Sequence, residues 1–242
     1  MKKLGILGGM GPLAGAYFFF LFSAWTSAES DDCHPEVVLY SATGIPDRTA
    51  GLTGHGSSPL PALRKATAFL CDSGAEVLVM TCNTAHAYFA ELQDASAGRF
   101  LSMPDLAVAE AIRCGAGRIG VLSTSGCAAA GVYRSACFRA GADYIPTPEP
   151  VQKAVNEAIY RKKAGENINP SAFLPAIAAL LNAGADRVIL GCTEISLIFA
   201  GRTYPDVTDA LEVLAKEAVV ACGAFCRPEG ERRSDDLYAA YR

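Results

Sequence analysis

Histidine is scarce in this chain, and the cysteines lack a metal-binding spacing. The 242 residues include three histidines, and no two of the nine cysteines form a C-x-x-C pair. Structural zinc sites use closely spaced cysteine and histidine ligands, so we predict no metal site. The cysteine count is odd, the spacing is irregular and no secretion signal is recognisable. We therefore expect reduced thiols and a cytoplasmic location.

An excess of positive charge is also missing. Lysine and arginine total 21, aspartate and glutamate total 25, and the formal net charge is −4. Proteins that bind nucleic acids or anionic membranes present a basic face. We therefore predict neither nucleic acid nor a membrane as a partner.

The chain has no apolar run long enough to cross a bilayer. Its first 25 residues, "MKKLGILGGMGPLAGAYFFFLFSAW", are basic and then apolar, as in a secretory signal. Gly8, Gly9, Gly11 and Pro12 interrupt that run, and "AYFFFLFSAW" is shorter than the ~20 residues of a membrane span. We interpret the segment as a strand, a turn and a helix.

Apolar residues make up 51% of the chain, enough for a large core. Five continuous apolar runs predict strands buried on both faces: 3–8, 36–42, 76–82, 118–124 and 186–192. Helix-like segments fill the gaps at about 12–29, 58–72, 84–97, 105–114, 127–140, 150–164, 171–183 and 208–224. This alternation predicts an α/β fold with parallel sheets and helices on both faces.

Two internal matches indicate a duplication. "GAEVLVMTCNT" at 74 resembles "GADRVILGCTE" at 184, and "KLGILGG" at 3 resembles "RIGVLST" at 118. The offsets of 110 and 115 residues predict two pseudo-symmetric halves, 1–100 and 101–207, with a cleft between them. We expect a helix at 208–226 to pack back on the first half, and the tail at 227–242 to be flexible.

The duplicated strands each deliver a cysteine, Cys82 and Cys192, to a strand end. Ligands bind beyond the carboxyl ends of strands in parallel sheets, so two facing halves would place both thiols at one cleft. A buried structural role is common for a single cysteine, but two at matched positions, each followed by polar residues, favour function. Two opposed thiols could move a proton on and off the two faces of one carbon.

A glycine-rich turn offers a competing interpretation. "GMGPLA" at 9–14 fits the dinucleotide pattern G-x-G-x-x-A between a strand and a helix. The next strand ends without the acidic residue that holds a ribose, and Pro12 fits the first turn of a helix. We interpret the turn as lining an anion site, with a dinucleotide-binding oxidoreductase as an alternative.

Several other polar residues are candidates for the same cleft. Arg48 in "GIPDRTAG" is either a carboxylate-binding fork or a solvated loop residue, and Lys163 by itself fits a surface charge. Thr124 ends the strand that matches the glycine-rich turn. His86 could tune the Cys82 thiolate or pack beneath it, and Glu194 could act as a base or orient a thiol.

The motifs "GILGGMGP", "IPDRT", "TCNTAH", "KAG" and "GCTE", in this order, resemble the aspartate/glutamate racemase family over residues 1 to about 225. The resemblance implies a two-domain α/β fold and amino-acid racemisation without pyridoxal phosphate, metal or nucleotide. It also implies a small-molecule substrate, an amino acid, and a homodimer. Glutamate racemases of cell-wall synthesis usually carry an aspartate-serine-glycine motif where this chain has Gly8, Gly9 and Met10.

The resemblance also implies roles for individual residues. Cys82 and Cys192 would be the catalytic acid and base, with Cys82 acting on the D form and Cys192 on the L form. The remaining positions would bind substrate: Met10, Arg48, Asn83, Thr84, Thr124, Lys163 and Thr193. Among these, Arg48 and Lys163 match positions that hold the side-chain carboxylate in aspartate-preferring members.

The sequence therefore predicts a cofactor-independent racemase of an acidic amino acid, with aspartate favoured and glutamate or a broader range next. Two alternatives share the fold. One is a decarboxylase or isomerase of the same superfamily, which can work with one cysteine. The other is a non-catalytic protein that binds dicarboxylic amino acids.

Overall fold

The computed structural model describes residues 1–228 and contains two parallel sheets of four strands each. The first has the order β2-β1-β3-β4 and the second the order β6-β5-β7-β8. The strands are β1 (Leu4–Gly8), β2 (Val37–Ser41), β3 (Val77–Met80), β4 (Arg99–Phe100), β5 (Arg118–Leu122), β6 (Asp143–Ile145), β7 (Arg187–Leu190) and β8 (Val207–Asp209). The identical orders confirm the predicted α/β fold of two pseudo-symmetric parallel-sheet halves.

The strand pairing agrees with the internal sequence matches. Strands β1 and β3 are neighbours in the first sheet, and β5 and β7, which resemble them, are neighbours in the second. All five predicted strands are present. The short strands β4, β6 and β8 were not predicted, because two or three residues form no recognisable pattern. The division of the chain between residues 100 and 101 stays a prediction.

Eleven α-helices are found among the described residues: α1 (Pro12–Trp25), α2 (Arg48–Leu52), α3 (Leu60–Asp72), α4 (Phe89–Asp94), α5 (Met103–Arg113), α6 (Ser125–Ala129), α7 (Val132–Ala140), α8 (Glu149–Lys163), α9 (Leu174–Asn182), α10 (Thr193–Ile198) and α11 (Ala210–Ala221). Three short 3₁₀-helices join them, at Asp31–Cys33, Thr84–Tyr88 and Pro170–Phe173.

Some predicted helix boundaries were wrong. The first helix ends at Trp25 and not near residue 29, because Thr26 turns to extended backbone and its hydroxyl donates to the Phe22 carbonyl. The segment predicted as a helix from residue 84 begins as a 3₁₀-helix, and α2 was not predicted at all. The predicted C-terminal helix corresponds to α11. Residues 229–242 of the predicted tail lie outside the described residues.

Alternate strand residues point to different helix layers. In the first sheet, Ile6 and Val79 pack with α1 and α11, whereas Leu7 and Met80 pack with α3 on the opposite face. This two-residue period places apolar side chains on both faces of the sheet. The second sheet follows the same rule, with α5 and α7 on one face and α8 and α9 on the other.

One hydrophobic cluster joins the two sheets. Buried residues of β1, β3, β5 and β7 share one hydrophobic cluster with helices α1, α5, α7 and α11. Helix α11 packs against both α1 and α5. The molecule is therefore layered as outer helices, first sheet, shared helices, second sheet and outer helices.

Within residues 1–228, no helix combines the length and the apolar character needed to cross a bilayer. The same residues contain no group of three or more histidine, cysteine or acidic side chains placed to hold a metal ion.

Candidate active site

The two predicted cysteines occupy equivalent places in the two halves. Cys82 follows β3 by two residues, and Cys192 follows β7 by two residues. Both lie beyond the carboxyl ends of central strands, where parallel sheets bind their ligands. Each is about 5% exposed. The short connection after each strand thus carries a buried thiol in both halves.

The partner of Cys82 is a buried cation. The Arg48 guanidinium interacts electrostatically with the Cys82 sulfur. Burial lowers the pKa of Arg48, but attraction from the Cys82 sulfur, Asp47 and Glu194 outweighs it, so the pKa lies above its usual value. A fixed positive charge beside a thiol stabilises the thiolate. Cys82 therefore has a positively charged neighbour.

Arg48 is held by backbone carbonyls. Its Nη1 donates to the carbonyls of Ile45 and Pro46 at 3.3 and 3.1 Å, and its Nη2 donates to the Met10 carbonyl at 2.8 Å. Asp47 caps the short helix α2 that begins at Arg48, by accepting from the Ala50 amide at 2.8 Å. The Nε atom is buried and has no hydrogen-bond partner among residues 1–228. Arg48 is thus fixed in place with a donor to spare.

The partner of Cys192 is a carboxylate. The Cys192 thiol donates to Glu194 at 3.1 Å, and the Thr193 hydroxyl donates to the same Oε2 atom at 3.3 Å. Burial, followed by the charge of Glu194, raises the pKa of Cys192 well above its usual range. Cys192 is therefore placed to be the protonated member of the pair.

Lys163 lies near both thiols, although it is 81 residues away from Cys82 in sequence. Burial lowers its pKa, but Glu194, Cys82 and Cys192 together raise it above the usual value. Its ammonium group is 5.2 Å from the centre of the Tyr160 ring, a distance at which a cation is attracted to an aromatic face. The interpretation of Lys163 as a surface charge, made from the residue alone, was wrong.

Several polar contacts cross between the halves at this point. The hydroxyls of Thr84 and Thr124 lie 2.8 Å apart, and Thr124 also caps α6 by accepting from the Cys127 amide. The Tyr160 hydroxyl donates to Asp47 at 3.2 Å. These contacts bring the carboxyl ends of the two sheets together around the thiols.

Asn83 makes a cross-half contact that the sequence did not predict. Its Oδ1 accepts from the hydroxyl of Tyr133 on α7 at 2.6 Å. Both side chains are about 3% exposed. Asn83 Nδ2 is buried and has no partner among the described residues. A buried donor without a partner is costly, so this atom is a candidate for binding a ligand.

His86 has a structural explanation. Its Nδ1 lies 2.9 Å from the Cys82 carbonyl, and its Nε2 accepts from the Met103 amide at 3.2 Å. The second bond requires a bare Nε2, so Nδ1 carries the proton and donates. Burial lowers the pKa of His86 to about 4. The neutral ring therefore ties the Cys82 segment to the start of α5 and does not supply a charge to the thiol.

A cavity of about 300 Å³ opens beside this network. Its polar lining includes Arg48, Lys163 and Glu194, and the glycine-rich turn forms one wall. Each thiol is thus linked to the cavity by a polar partner, Cys82 by Arg48 and Cys192 by Glu194. A Cβ at Gly11 would lie 3.3 Å from Glu194 Oε1, so the turn passes close to this carboxylate.

Three of the nine predicted site residues line this cavity, namely Met10, Arg48 and Lys163, and the contacts described above join the others in small groups. One group consists of Cys82, Arg48 and Met10. A second group surrounds Glu194 and consists of Cys192, Thr193 and Lys163. The two halves are joined by Thr84 and Thr124. Asn83 is the remaining member. The sequence missed Tyr133, which occurs in "GVYRSACF" without any recognisable motif. Glu194 contacts the Cys192 thiol, in agreement with the role of orienting a thiol that the sequence offered for it.

The chain thus has two parallel-sheet α/β halves with a buried cysteine after each of two matched strands. The family model for Asp/Glu/hydantoin racemase matches residues 7–218. The chain belongs to this family.

Solved structures and sequence relatives are consistent with this membership. The aspartate racemase of Picrophilus torridus is 29% identical, covers 96% of this chain and 98% of its own, and superposes with a TM-score of 0.79. An aspartate racemase homologue from Pyrococcus horikoshii OT3 is 22% identical, covers 92% of this chain and 100% of its own, with a TM-score of 0.74, and shows the fold alone. A glutamate racemase of Pseudomonas aeruginosa is 33% identical over 68% of this chain, but the match spans 60% of that relative's length.

Proposed function

We propose that the protein racemises an acidic amino acid, aspartate in preference to glutamate, by proton transfer between Cys82 and Cys192. The observation that carries the proposal is the pair of buried thiols at equivalent strand ends. One thiol has a positively charged neighbour and the other has a negatively charged one. Arg48 accompanies Cys82 and Glu194 accompanies Cys192. Membership of the racemase family and the name of the Picrophilus torridus relative support it.

In the proposed reaction, the Cys82 thiolate takes the Cα proton with one of its lone pairs. The two C–H electrons move into the neighbouring carboxylate, which becomes an enediolate. The Cys192 thiol then gives its proton to the opposite face of Cα, and its S–H electrons stay on sulfur. The roles are exchanged in the reverse direction, so the two thiols together conserve the proton count.

The hard step is to hold the negative charge of the enediolate, which requires fixed donors that point at the carboxylate. Asn83, Thr84 and Thr193 are the proposed donors, with Met10 beside them and Thr124 joined to the Thr84 hydroxyl. The unpartnered Asn83 Nδ2 supports this assignment. Buried donors in a site with little water act more strongly than they would in solution.

The charges of the cavity support an acidic substrate. Arg48 and Lys163 line it from opposite halves, and both keep their positive charge despite burial. A second carboxylate, such as the side chain of aspartate, would find these cations. A cavity of about 300 Å³ is at the small end of ligand sites, which favours an amino acid over a dinucleotide.

The experiment that tests the proposal is chiral chromatography of L- and D-amino acids incubated with reduced protein and no added cofactor. We expect both aspartate enantiomers to converge on an equal mixture. Cys82→Ala and Cys192→Ala should each abolish racemisation. The exposed Cys114→Ala provides the matched control and should be fully active. Full activity in either single-thiol variant would refute the two-thiol scheme.

We also propose a homodimer in the cytoplasm, on the basis of the family resemblance and the reduced cysteines. Light scattering coupled to gel filtration measures the mass directly. A monomeric mass at micromolar concentration would contradict the first part of this proposal.

A further inference from the structure

Tyr133 forms a hydrogen bond with the side chain of Asn83, a proposed substrate-binding residue, yet it comes from the other half of the molecule. Helix α7 carries it, and its hydroxyl donates to Asn83 Oδ1 at 2.6 Å. We propose that Tyr133 is a positioning residue that fixes the Asn83 amide with its NH₂ group free for a substrate carboxylate. This inference rests on the proposed function and names a residue that the motifs do not include.

The direction of this hydrogen bond decides what Asn83 can bind. An asparagine amide is a donor at Nδ2 and an acceptor at Oδ1, and the two orientations have the same shape. With Oδ1 held by Tyr133, the free end is a donor, which suits a carboxylate. With the amide reversed, the free end would be a carbonyl oxygen, which would repel a carboxylate.

The phenolic proton selects the first orientation. Burial is the main cause that raises the pKa of Tyr133 well above its usual value, so the hydroxyl keeps its proton. Among residues 1–228 the recorded acceptor of that proton is Asn83 Oδ1. If the amide were reversed, the buried phenolic proton would lose this acceptor, and an unsatisfied buried donor is unfavourable.

Packing leaves the Tyr133 ring little freedom. It belongs to the core shared by the two sheets and is 3% exposed. A side chain at Gly191 would come within 2.8 Å of the ring, and Gly191 directly precedes Cys192. The ring is therefore held between the two strand ends that carry the thiols, and its hydroxyl is presented to Asn83 from a fixed position.

The alternative is that Tyr133 only fills the core. A double-mutant cycle separates the two roles, because only a positioning role is transmitted by Asn83. The variants are Tyr133→Phe, Asn83→Ala and the double variant, with Tyr144→Phe as the matched control. Tyr144 is a half-buried tyrosine of the same half, on β6, with Arg134 over its ring.

We expect Tyr133→Phe to lower kcat/KM for aspartate roughly tenfold or more, the effect of one misplaced hydrogen bond to a charged group. Tyr144→Phe should stay within about twofold of the wild type. In the Asn83→Ala background, Tyr133→Phe should have no further effect. A double variant whose loss equals the product of the two single losses would overturn the proposal, as would full activity of Tyr133→Phe.

Asn83→Asp gives a second, independent readout. A carboxylate at position 83 still accepts from Tyr133, but its free end is now an anionic acceptor, and the melting temperature measures the cost of burying that charge. Binding of L-aspartate by calorimetry should then be lost, and Tyr133→Phe should bind it at least tenfold more weakly than wild type. Wild-type binding in both variants would contradict the inference.

Failure of the racemase proposal and failure of the Tyr133 inference would give different results. If the wild type racemises no acidic amino acid but binds L-aspartate, the racemase proposal fails, and the calorimetric comparison still tests Tyr133. If the wild type binds no L-aspartate, the carboxylate-binding role of Asn83, and with it this inference, is wrong.

Discussion

The Cys192 thiol donates a hydrogen bond to Glu194, with Sγ and Oε2 3.1 Å apart. The position equivalent to Glu194 in the first half is Thr84, which instead contacts Thr124. The two halves share a strand order, but their thiols have unlike partners. Cys192 can therefore pass its proton to a neighbouring carboxylate, whereas Cys82 has a cation beside it.

We expect Glu194→Gln to impair Cys192 as a base and leave Cys82 unaffected. Exchange of the Cα proton in D₂O tests this in single-thiol backgrounds, in which we expect each thiol to serve one enantiomer. In the Cys82→Ala background, Glu194→Gln should slow exchange at least tenfold, because the thiol proton has lost its anionic acceptor. In the Cys192→Ala background, the Glu194→Gln substitution should have little effect on the exchange rate. Equal slowing in both backgrounds would indicate general damage to the site.

Lys163→Met should weaken the binding of acidic substrates. The ammonium group interacts with Glu194 and both thiols, and it lines the cavity that we assign to the substrate. Because a carboxylate gains most from a fixed, partly buried cation, KM for aspartate should rise at least tenfold. Lys153→Met, on the exposed face of the same helix, is the matched control. An unchanged KM in Lys163→Met would exclude it from substrate binding.

His86 should make the folded state less stable in acid. Burial lowers its pKa to about 4, whereas an unfolded histidine titrates near 6.5. The unfolded chain therefore binds a proton first as the pH falls from 6.5 to 4, and up to about 3 kcal/mol of stability is lost across that range. Urea denaturation at several pH values measures the slope.

His86→Gln should flatten that slope, and the exposed His55→Gln should leave it unchanged. Asp209 contributes the opposite sign over part of the range, because burial raises its pKa to about 6. The difference between wild type and His86→Gln cancels this contribution. A slope that survives in His86→Gln would assign the acid sensitivity to another group.

Gly191→Ala should lower the stability of the folded protein, because the added methyl group clashes with its neighbours next to Cys192. The added methyl would lie 2.6 Å from a Val121 side-chain carbon and 2.8 Å from the Tyr133 ring. Overpacking of this kind costs about 1–3 kcal/mol. Gly44→Ala, whose added methyl meets no atom within 4 Å, is the control for stability. Thermal denaturation of the two variants gives the comparison, and equal melting temperatures would refute the expected clash.

The fold could be predicted because its signals are local. Continuous apolar runs identify the central strands, and the repeated "GAEVLVMTC" and "GADRVILGC" identify their equivalence before any tertiary contact is known. The edge strand β6 was missed because it has three residues, one of them Asp143, and is only partly buried. Such a strand is defined by its pairing with β5, which the chain does not reveal locally.

The site was predictable to the extent that each residue adjoins a motif. Cys82 and Cys192 are recognisable from the repeat. Tyr133 is not, because its partner lies 50 residues away and the pairing exists only after both halves have folded. The function of His86 could not be assigned from sequence for the same reason, since its Nε2 accepts from the amide of Met103, the first residue of a later helix.

The helix layer that both sheets share has a consequence for folding. Because α1, α5, α7 and α11 share one hydrophobic cluster with strands of both sheets, neither half can complete its core before the other is present. Cooperativity follows from shared apolar surface, so we expect unfolding to occur in a single transition despite the duplicated architecture.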